Sequence, residues 1–129
     1  MKLATLTGLS RESIDDLLRH RIRTFEIRSA HNMIAFSAVH PGDYMFITDA
    51  VPPDVVPGLC DPIVQVRGVD IHMNRVSLST PLNYEERETM GARVQLMVHA
   101  IGKVRDVYPI EAYKPIYVEA IEIKHYEAR

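Results

Sequence analysis

Residues 23–28 run Arg23-Thr24-Phe25-Glu26-Ile27-Arg28, and a short way on come Pro41-Gly42-Asp43 and an apolar run. Polar and apolar side chains alternate in residues 24–28, which predicts a β-strand because successive side chains of a strand point to opposite sides. Thr24, Glu26 and Arg28 share one face of this strand, and Phe25 and Ile27 share the other. The sequence therefore predicts a strand whose polar face lines a cleft.

The composition is that of one globular domain. The chain has 129 residues, of which 47% are hydrophobic and 25% are charged, and a chain of this size can bury a sufficient core. We therefore treat residues 1–129 as a single domain. The single cysteine, Cys60, excludes an internal disulfide and a zinc site built from several thiolates. We expect Cys60 to be a small, half-buried hydrophobic residue rather than a nucleophile.

The sequence predicts a cytoplasmic protein without a membrane partner. The segment Met1–Leu6 is too short for a signal peptide and is followed by polar residues, and no apolar run reaches membrane-spanning length. A single cysteine also suits a reducing compartment.

Charge is small overall but unevenly distributed. The formal net charge of −2 argues against non-specific coating of nucleic acid, which requires many phosphates to be neutralised. Within residues 19–28, however, the arginines outnumber the acidic residues, which predicts a local basic patch. The charged residues of this stretch are Arg19, Arg21, Arg23, Glu26 and Arg28.

Local signals predict further strands and one helix in the first half of the chain. Ser10 is a suitable helix N-cap before an apolar stripe. Residues 29–32 offer a turn before an apolar run, and Pro41-Gly42 predicts a tight turn because glycine accepts a positive φ. The predicted elements are strands at 3–6, 23–28, 33–39 and 44–47 and a helix from Ser10 to about Arg21.

The second half is also predicted to be mostly strand. The Pro- and Gly-rich segment 49–61 is a long loop, either a lid or a plain crossover. The apolar pattern slips by one residue at Gly68, which predicts a bulge, and Thr80-Pro81 predicts the start of a helix that ends at Gly91. The remaining predictions are strands at 64–78, 93–99 and 116–124 and a loop at 106–115. Together these elements predict an α+β domain with two short helices.

The basic segment and the residues after it form the candidate site. Glu26 can accept hydrogen bonds from a base or amine edge, and an arginine can bind phosphate or a carbonyl group. His31-Asn32 follows the central strand and is expected to reach the same cleft. A structural ion pair between Glu26 and Arg28 is the commoner explanation for such spacing. The candidate ligand-binding residues are Arg21, Arg23, Glu26, Arg28, His31 and Asn32.

These motifs resemble those of the ASCH group of the PUA-like superfamily, which are small β-barrels associated with RNA. Glu26, Arg28 and Gly42-Asp43 match the group's pattern, whereas Arg23 stands where a lysine is expected and Arg21 where a glycine is expected. The resemblance implies a PUA-like, mostly antiparallel β-barrel that binds RNA or a modified nucleotide.

Nearly the whole chain also resembles a small archaeal family of single-domain proteins without an assigned function. The likeness includes the run at 23–32, Arg-Thr-x-Glu-Ile-Arg-Ser-Ala-His-Asn, and the run at 86–96, Glu-Arg-Glu-x-Met-x-Ala-Arg-Val-Gln-Leu. This resemblance indicates the class of protein and implies no activity.

Two alternatives to nucleic-acid binding remain open. Some ASCH-like proteins are similar to amidohydrolases that act on acylated cytidine, which implies Thr24 as nucleophile and Glu26 as acid/base. The lysine of that group would be replaced by Arg23, which stays protonated and cannot act as the base. The other alternative is a structural or regulatory protein whose Arg/Glu face is a subunit interface, and the oligomeric state is left open.

No cofactor or metal is predicted. The six histidines show no paired helical spacing and have no thiolate partner, so they are interpreted as scattered surface or turn residues. No glycine-rich phosphate loop or dinucleotide fingerprint is present, which argues against nucleotide hydrolysis and redox chemistry.

Overall fold

The computed structural model describes residues 1–81 and 83–126, and it describes side chains throughout except at 74–76, 78 and 83–89. Strands make up most of this part of the chain. Short 3-10 helices occur at Phe36–Ala38 and Pro52–Asp54. In chain order, the principal elements are β1 (Lys2–Leu6), α1 (Arg11–His20), β2 (Ile22–Ile27), α2 (Ala30–Ala35), β3 (Tyr44–Ile47), β4 (Cys60–Thr80), β5 (Asn83–Val107) and β6 (Tyr117–His125).

The strands of the described residues form one six-stranded sheet in the order β2-β5-β4-β3-β1-β6. β1 and β3 are parallel, and the other neighbours are antiparallel. β6 also pairs with β5. The strands β5, β4, β3, β1 and β6 are therefore each hydrogen-bonded to the next, and β6 is hydrogen-bonded back to β5. The predicted α+β class, mostly antiparallel and with two short helices, is confirmed, although only α1 lies where a helix was predicted.

α1 forms where its cap and apolar stripe predict. The Ser10 side chain accepts a hydrogen bond from the Ser13 backbone N–H at 3.3 Å, and Ile14 and Leu17 are fully buried. The helix ends at Arg21, whose φ of 73° is left-handed and whose N–H donates to the Leu17 carbonyl at 2.7 Å. This turn sends the chain directly into β2.

β2 confirms the alternation read from residues 24–27. Phe25 and Ile27 are buried, and Thr24 and Glu26 are exposed. β2 pairs along its length with β5, which places Glu26 opposite Arg93. The strand lies at one end of the sheet order, so its exposed face is available to line a cleft.

The predicted strand at 33–39 is wrong, because this segment is helical. Ser29 caps α2 by accepting from the Asn32 N–H at 3.2 Å, and the 3-10 helix follows directly. The buried residues are spaced as on one helical face, and the polar residue at the first of these positions hides the pattern from a search for apolar runs. They are Asn32, Ala35, Phe36 and Val39.

The predicted helix between Pro81 and Gly91 is also wrong. Residues 83–91 belong to β5, which forms a long hairpin with β4 from Thr80↔Asn83 onward. The signals at Thr80-Pro81 are local, whereas pairing with β4 satisfies backbone donors and acceptors along the whole arm. The strand predicted at 93–99 is the continuation of β5, which extends to Val107 and shortens the following loop.

Two further predictions from residue patterns have clear outcomes. The bulge at Gly68 is confirmed, since the β4–β5 register shifts between Val66 and Gly68. Cys60 is exposed rather than half-buried. The loop before β4 is bonded to β5 through Gly58 N–H to the Val104 carbonyl at 2.8 Å and Val104 N–H to the Leu59 carbonyl at 2.9 Å, which favours a crossover over a lid.

A buried carboxylate joins α1 to the sheet. Asp61 is 4% exposed and accepts from Nη1 and Nη2 of Arg11, both at 3.0 Å, and from Thr48 Oγ1 at 2.7 Å. Charge-assisted hydrogen bonds of this kind offset the cost of burying a carboxylate. They hold the start of α1 beside the sheet.

Candidate functional site

The polar face of β2, the start of α1 and the start of α2 enclose a cleft of about 410 Å³, which we call the β2 cleft. Its two helical walls begin at the serine caps Ser10 and Ser29. The lining residues are Gly8, Leu9, Ser10, Ser13, Arg23, Thr24, Phe25, Glu26, Ile27, Arg28, Ser29 and Asn32. Five of the residues predicted for the site are therefore brought together: Arg23, Thr24, Glu26, Arg28 and Asn32.

Glu26 is paired across the sheet rather than along its own strand. Arg93 Nε donates to Glu26 Oε1 at 2.6 Å, so the expected Glu26–Arg28 pair is replaced by a Glu26–Arg93 pair between β2 and β5. The hydrogen bond from Arg93 lowers the pKa of Glu26, and the charge of Arg28 contributes in the same direction. Glu26 is therefore an ionised hydrogen-bond acceptor at neutral pH.

Replacing Arg93 with alanine is expected to raise the pKa of Glu26 toward its ordinary value, because the main group that lowers it is removed. A group with a depressed folded-state pKa stabilises the fold above its unfolded pKa and loses that contribution as the pH falls through the folded value. The stability that Glu26 contributes above its unfolded pKa should therefore be absent in the variant, so its stability should fall less steeply between the unfolded and the folded pKa of Glu26. An NMR titration of the Glu26 carboxyl carbon measures the pKa, and an unchanged value in Arg93→Ala would show that the pair does not exist in solution.

Arg23 is held against β2 by two neighbours. Its Nε lies 3.2 Å from Asp16 Oδ2 of α1, and its guanidinium carbon lies 5.2 Å from the centre of the Phe25 ring. Because the Nη groups of Arg23 are not part of this ion pair, they can still donate into the cleft.

Arg28 follows the last residue of β2 and is exposed. Within the part of the chain that the structure describes, no hydrogen bond or ion pair engages its guanidinium. Among the described side chains it is therefore a positive charge at the cleft that no direct partner neutralises.

Asn32 has a structural task in the wall of the cleft. Its Oδ1 accepts from the Thr7 N–H at 3.0 Å, and its Nδ2 donates to the Thr7 carbonyl at 2.9 Å. Both residues are buried, so the side-chain amide replaces a missing backbone partner at the end of β1. Asn32 lines the cleft, and its role as a ligand contact stays a prediction, whereas His31 is half-buried and does not line the cleft.

The sequence matches a known protein family. The family model described as "Protein of unknown function (DUF473)" matches residues 1–118. The chain belongs to the DUF473 family. A relative, the uncharacterized protein MJ0105 of Methanocaldococcus jannaschii, is 28% identical over 119 residues, which cover 92% of this chain and 71% of the relative. No solved structure matches the chain.

The comparisons confirm the expected family of unknown function with an archaeal relative, and they show no link to the ASCH group. The helices of the DUF473 chain at the described positions are all too short or too polar to cross a membrane.

Arg21 lies outside the β2 cleft, contrary to the sequence prediction. The left-handed turn at the end of α1 leaves it in a different pocket of about 610 Å³, which we call the Arg21 pocket. Its guanidinium carbon is 4.3 Å from the centre of the Tyr126 ring. Its Nη1 is buried and has no hydrogen-bond partner within residues 1–81 and 83–126. The other residues lining this pocket are Arg19, His20, Ile22, Tyr44, Gln65, Met97, Val98, His99 and Tyr126.

Sequence reasoning missed a cluster beside the Arg21 pocket. His99 Nε2 is 2.8 Å from Glu122 Oε1, and His125 Nε2 is 3.0 Å from Glu122 Oε2. The interpretation of the histidines other than His31 as scattered surface or turn residues therefore fails for His99 and His125. Pairing of β5 with β6 assembles the cluster, which sequence spacing alone does not reveal.

The lysine required by the amidohydrolase pattern is missing from the β2 cleft. The four lysines, at positions 2, 103, 114 and 124, are all among the described residues, and none lines the cleft. Lys103 pairs with Cys60 in the β4–β5 ladder and does not approach Thr24. A proton acceptor able to activate Thr24 is therefore not supplied by a lysine.

Proposed function

We propose that this DUF473 domain binds RNA or a modified nucleotide in the β2 cleft. The observation that carries the proposal is Arg28, a cation without an internal partner among the described residues, beside the ionised Glu26 and the exposed Thr24 hydroxyl. This combination offers a phosphate-binding charge, an acceptor for a base amine and a neutral hydroxyl within one cleft.

The size of the cleft favours one nucleotide over a duplex. A volume of about 410 Å³ lies in the lower range of small-molecule sites. The net charge of −2 also gives little support to binding along a phosphate backbone. The proposed ligand is therefore a loop, an end or a single base of RNA, with Arg23 and Arg28 on phosphate or carbonyl oxygens and Glu26 on a donor edge.

The PUA-like barrel is part of the same proposal. A closed barrel is expected to have each strand paired with two neighbours in a ring. The ring here would be β5, β4, β3, β1 and β6, with β2 paired to β5 outside it. The match of Glu26, Arg28 and Gly42-Asp43 to the ASCH pattern supports this assignment.

Hydrolysis by Thr24 and Glu26 is not favoured as a second function. The two side chains share the cleft, but Arg93 keeps Glu26 ionised by lowering its pKa, which makes Glu26 a poor acid, and Arg23 cannot accept a proton. Binding requires neither group to change its protonation state, so binding is the better match to these residues.

Replacing Arg28 with alanine is expected to weaken binding of bulk transfer RNA several-fold at near-physiological salt, because an ionic contact to the ligand is removed. Fluorescence anisotropy with labelled transfer RNA and with DNA of similar length, at low and near-physiological salt, measures the effect. Arg105→Ala is the matched control, since Arg105 is exposed on β5, does not line the cleft and carries the same charge.

Equal losses in the two variants, or equally weak and salt-sensitive binding to RNA and DNA, would contradict specific recognition in the β2 cleft. RNA binding that persists at the higher salt and falls only in Arg28→Ala would support it.

A further inference from the structure

Three side chains that can bind a metal meet at the edge formed by β5 and β6. The nearest nitrogen or oxygen atoms of His99, Glu122 and His125 all lie within 4.8 Å of one another. Each Glu122 oxygen faces one imidazole, at 2.8 Å for His99 Nε2 and at 3.0 Å for His125 Nε2. A single carboxylate is therefore shared by two rings that approach it through the same kind of nitrogen.

The chemistry of this donor set is that of a transition-metal site. Two neutral imidazoles and one carboxylate are ligands that Zn²⁺ accepts, with metal–ligand distances of about 2.0–2.2 Å. Ligands at those distances around a tetrahedral ion lie roughly 3.3 Å apart. The observed nitrogen–oxygen separations are slightly shorter than this, and the whole set of ligand atoms lies within 4.8 Å, so rotation of the side chains about their own torsion angles is needed to bring all three to one ion.

The sheet holds the cluster together. Ala100 pairs with His125 and Gly102 pairs with Glu122, and the Tyr126 N–H donates to the His99 carbonyl at 3.0 Å. These backbone bonds place the three side chains without any flexible loop.

His99 is further confined by its neighbours. The Tyr44 ring lies 4.7 Å from the His99 ring, and the two rings are tilted by 52°. The side chains of His99 and Glu122 are 31% and 22% exposed, whereas that of His125 is 65% exposed. Two ligands are thus partly shielded from water, and the third provides access for an ion from solvent.

We propose that His99, Glu122 and His125 bind one divalent transition-metal ion of the zinc class. Three protein ligands leave a coordination position for water or a ligand, as in open zinc sites. His99 also lines the Arg21 pocket, so a molecule in that pocket lies next to the ion. The buried Nη1 of Arg21, which has no hydrogen-bond partner among the described residues, would be complemented by an anionic oxygen of such a molecule. Because this site is separate from the β2 cleft, it does not depend on the proposed nucleotide binding.

Titration of the untagged, chelator-treated chain with Co²⁺ and Zn²⁺ tests the proposal. We expect one Co²⁺ per chain, detected by visible d–d absorption, and displacement of that ion by Zn²⁺ but not by Mg²⁺, which prefers oxygen ligands. Glu122→Gln and His125→Gln should each reduce affinity for Zn²⁺ at least about 100-fold, because each removes a side chain that binds the metal directly. Changing a residue that only hydrogen-bonds to a metal ligand already costs about 10- to 100-fold in affinity.

His40→Gln is the control, since His40 is exposed in the turn before β3 and lies outside the cluster. Circular dichroism shows whether each variant is folded, and the exposed His125 provides a variant with little effect on packing. The proposal is overturned if the folded chain takes up no saturable Co²⁺, or if His40→Gln lowers affinity as much as His125→Gln does.

Discussion

Replacing Asn32 with alanine is expected to lower the free energy of unfolding by about 2–4 kcal/mol, since a buried polar group left without a partner costs about 1–3 kcal/mol. The substitution removes both hydrogen bonds between the Asn32 side chain and Thr7. The buried backbone N–H and carbonyl of Thr7 then lose the amide as their partner. Urea unfolding followed by circular dichroism measures the change.

Two further variants separate the Asn32 hydrogen bonds from general effects on α2. His31→Ala changes the neighbouring, half-buried residue and should alter stability by less than about 1 kcal/mol. Asn32→Asp keeps an acceptor for the Thr7 N–H but removes the donor to its carbonyl, so it should also destabilise the fold. A loss in Asn32→Ala no larger than that in His31→Ala would show that the amide bridge is not a structural element.

Replacing Asp61 with alanine is expected to cost about 2–3 kcal/mol of folding free energy, because hydrogen bonds to charged groups contribute about 1.5–3 kcal/mol. Thr48 is fully buried and loses the acceptor of its hydroxyl. Arg11 is 45% exposed at its side chain, so water compensates much of its lost pairing. The dominant penalty is therefore the unsatisfied Thr48.

Asp49→Ala is the matched control for Asp61→Ala. Asp49 also lies near Arg11, with Oδ1 3.6 Å from Nη1, but its side chain is 40% exposed. We expect its removal to change stability by less than about 0.5 kcal/mol, which is typical of surface ion pairs. If the two variants unfold at the same urea concentration, burial of Asp61 is not what gives the contact its strength.

The parts of the fold that follow from local patterns are predictable from the sequence. Ser10 before an apolar stripe is sufficient to predict α1. The alternation of polar and apolar side chains is sufficient to predict residues 24–27 as part of a strand. The segment after Ser29 was predicted incorrectly because its apolar residues run together, while its buried positions begin at the polar Asn32.

Long-range pairing explains the other errors. Thr80-Pro81 carries helix-start signals, but residues 83–91 gain more from a full antiparallel ladder with β4. The partner of Glu26 is Arg93, which is 67 residues away, and no spacing rule can indicate it. The same holds for His99 and Glu122, which are 23 residues apart and meet through the β5–β6 register.

The part of the candidate site that lies on β2 can be predicted from the sequence, because the alternation within one strand determines it. Thr24, Glu26 and Arg28 line one cleft as expected, and Arg23, from the opposite face of the strand, also reaches its lining. Arg21 does not, because the left-handed backbone at the end of α1 leaves it in the Arg21 pocket. The helical conformation of α2 explains why Asn32 packs into the wall and His31 does not reach the cleft.

Mapping of backbone amide shifts by NMR tests nucleotide binding in the β2 cleft most directly. The probe is a nuclease digest of bulk transfer RNA, which contains both ordinary and modified nucleotides, added to the isotope-labelled chain. We predict saturable shifts at residues 23–29 and at Ser10 and Ser13, and their loss in Arg28→Ala. Shifts confined to the Arg21 pocket, or no saturable shifts, would contradict the proposed function.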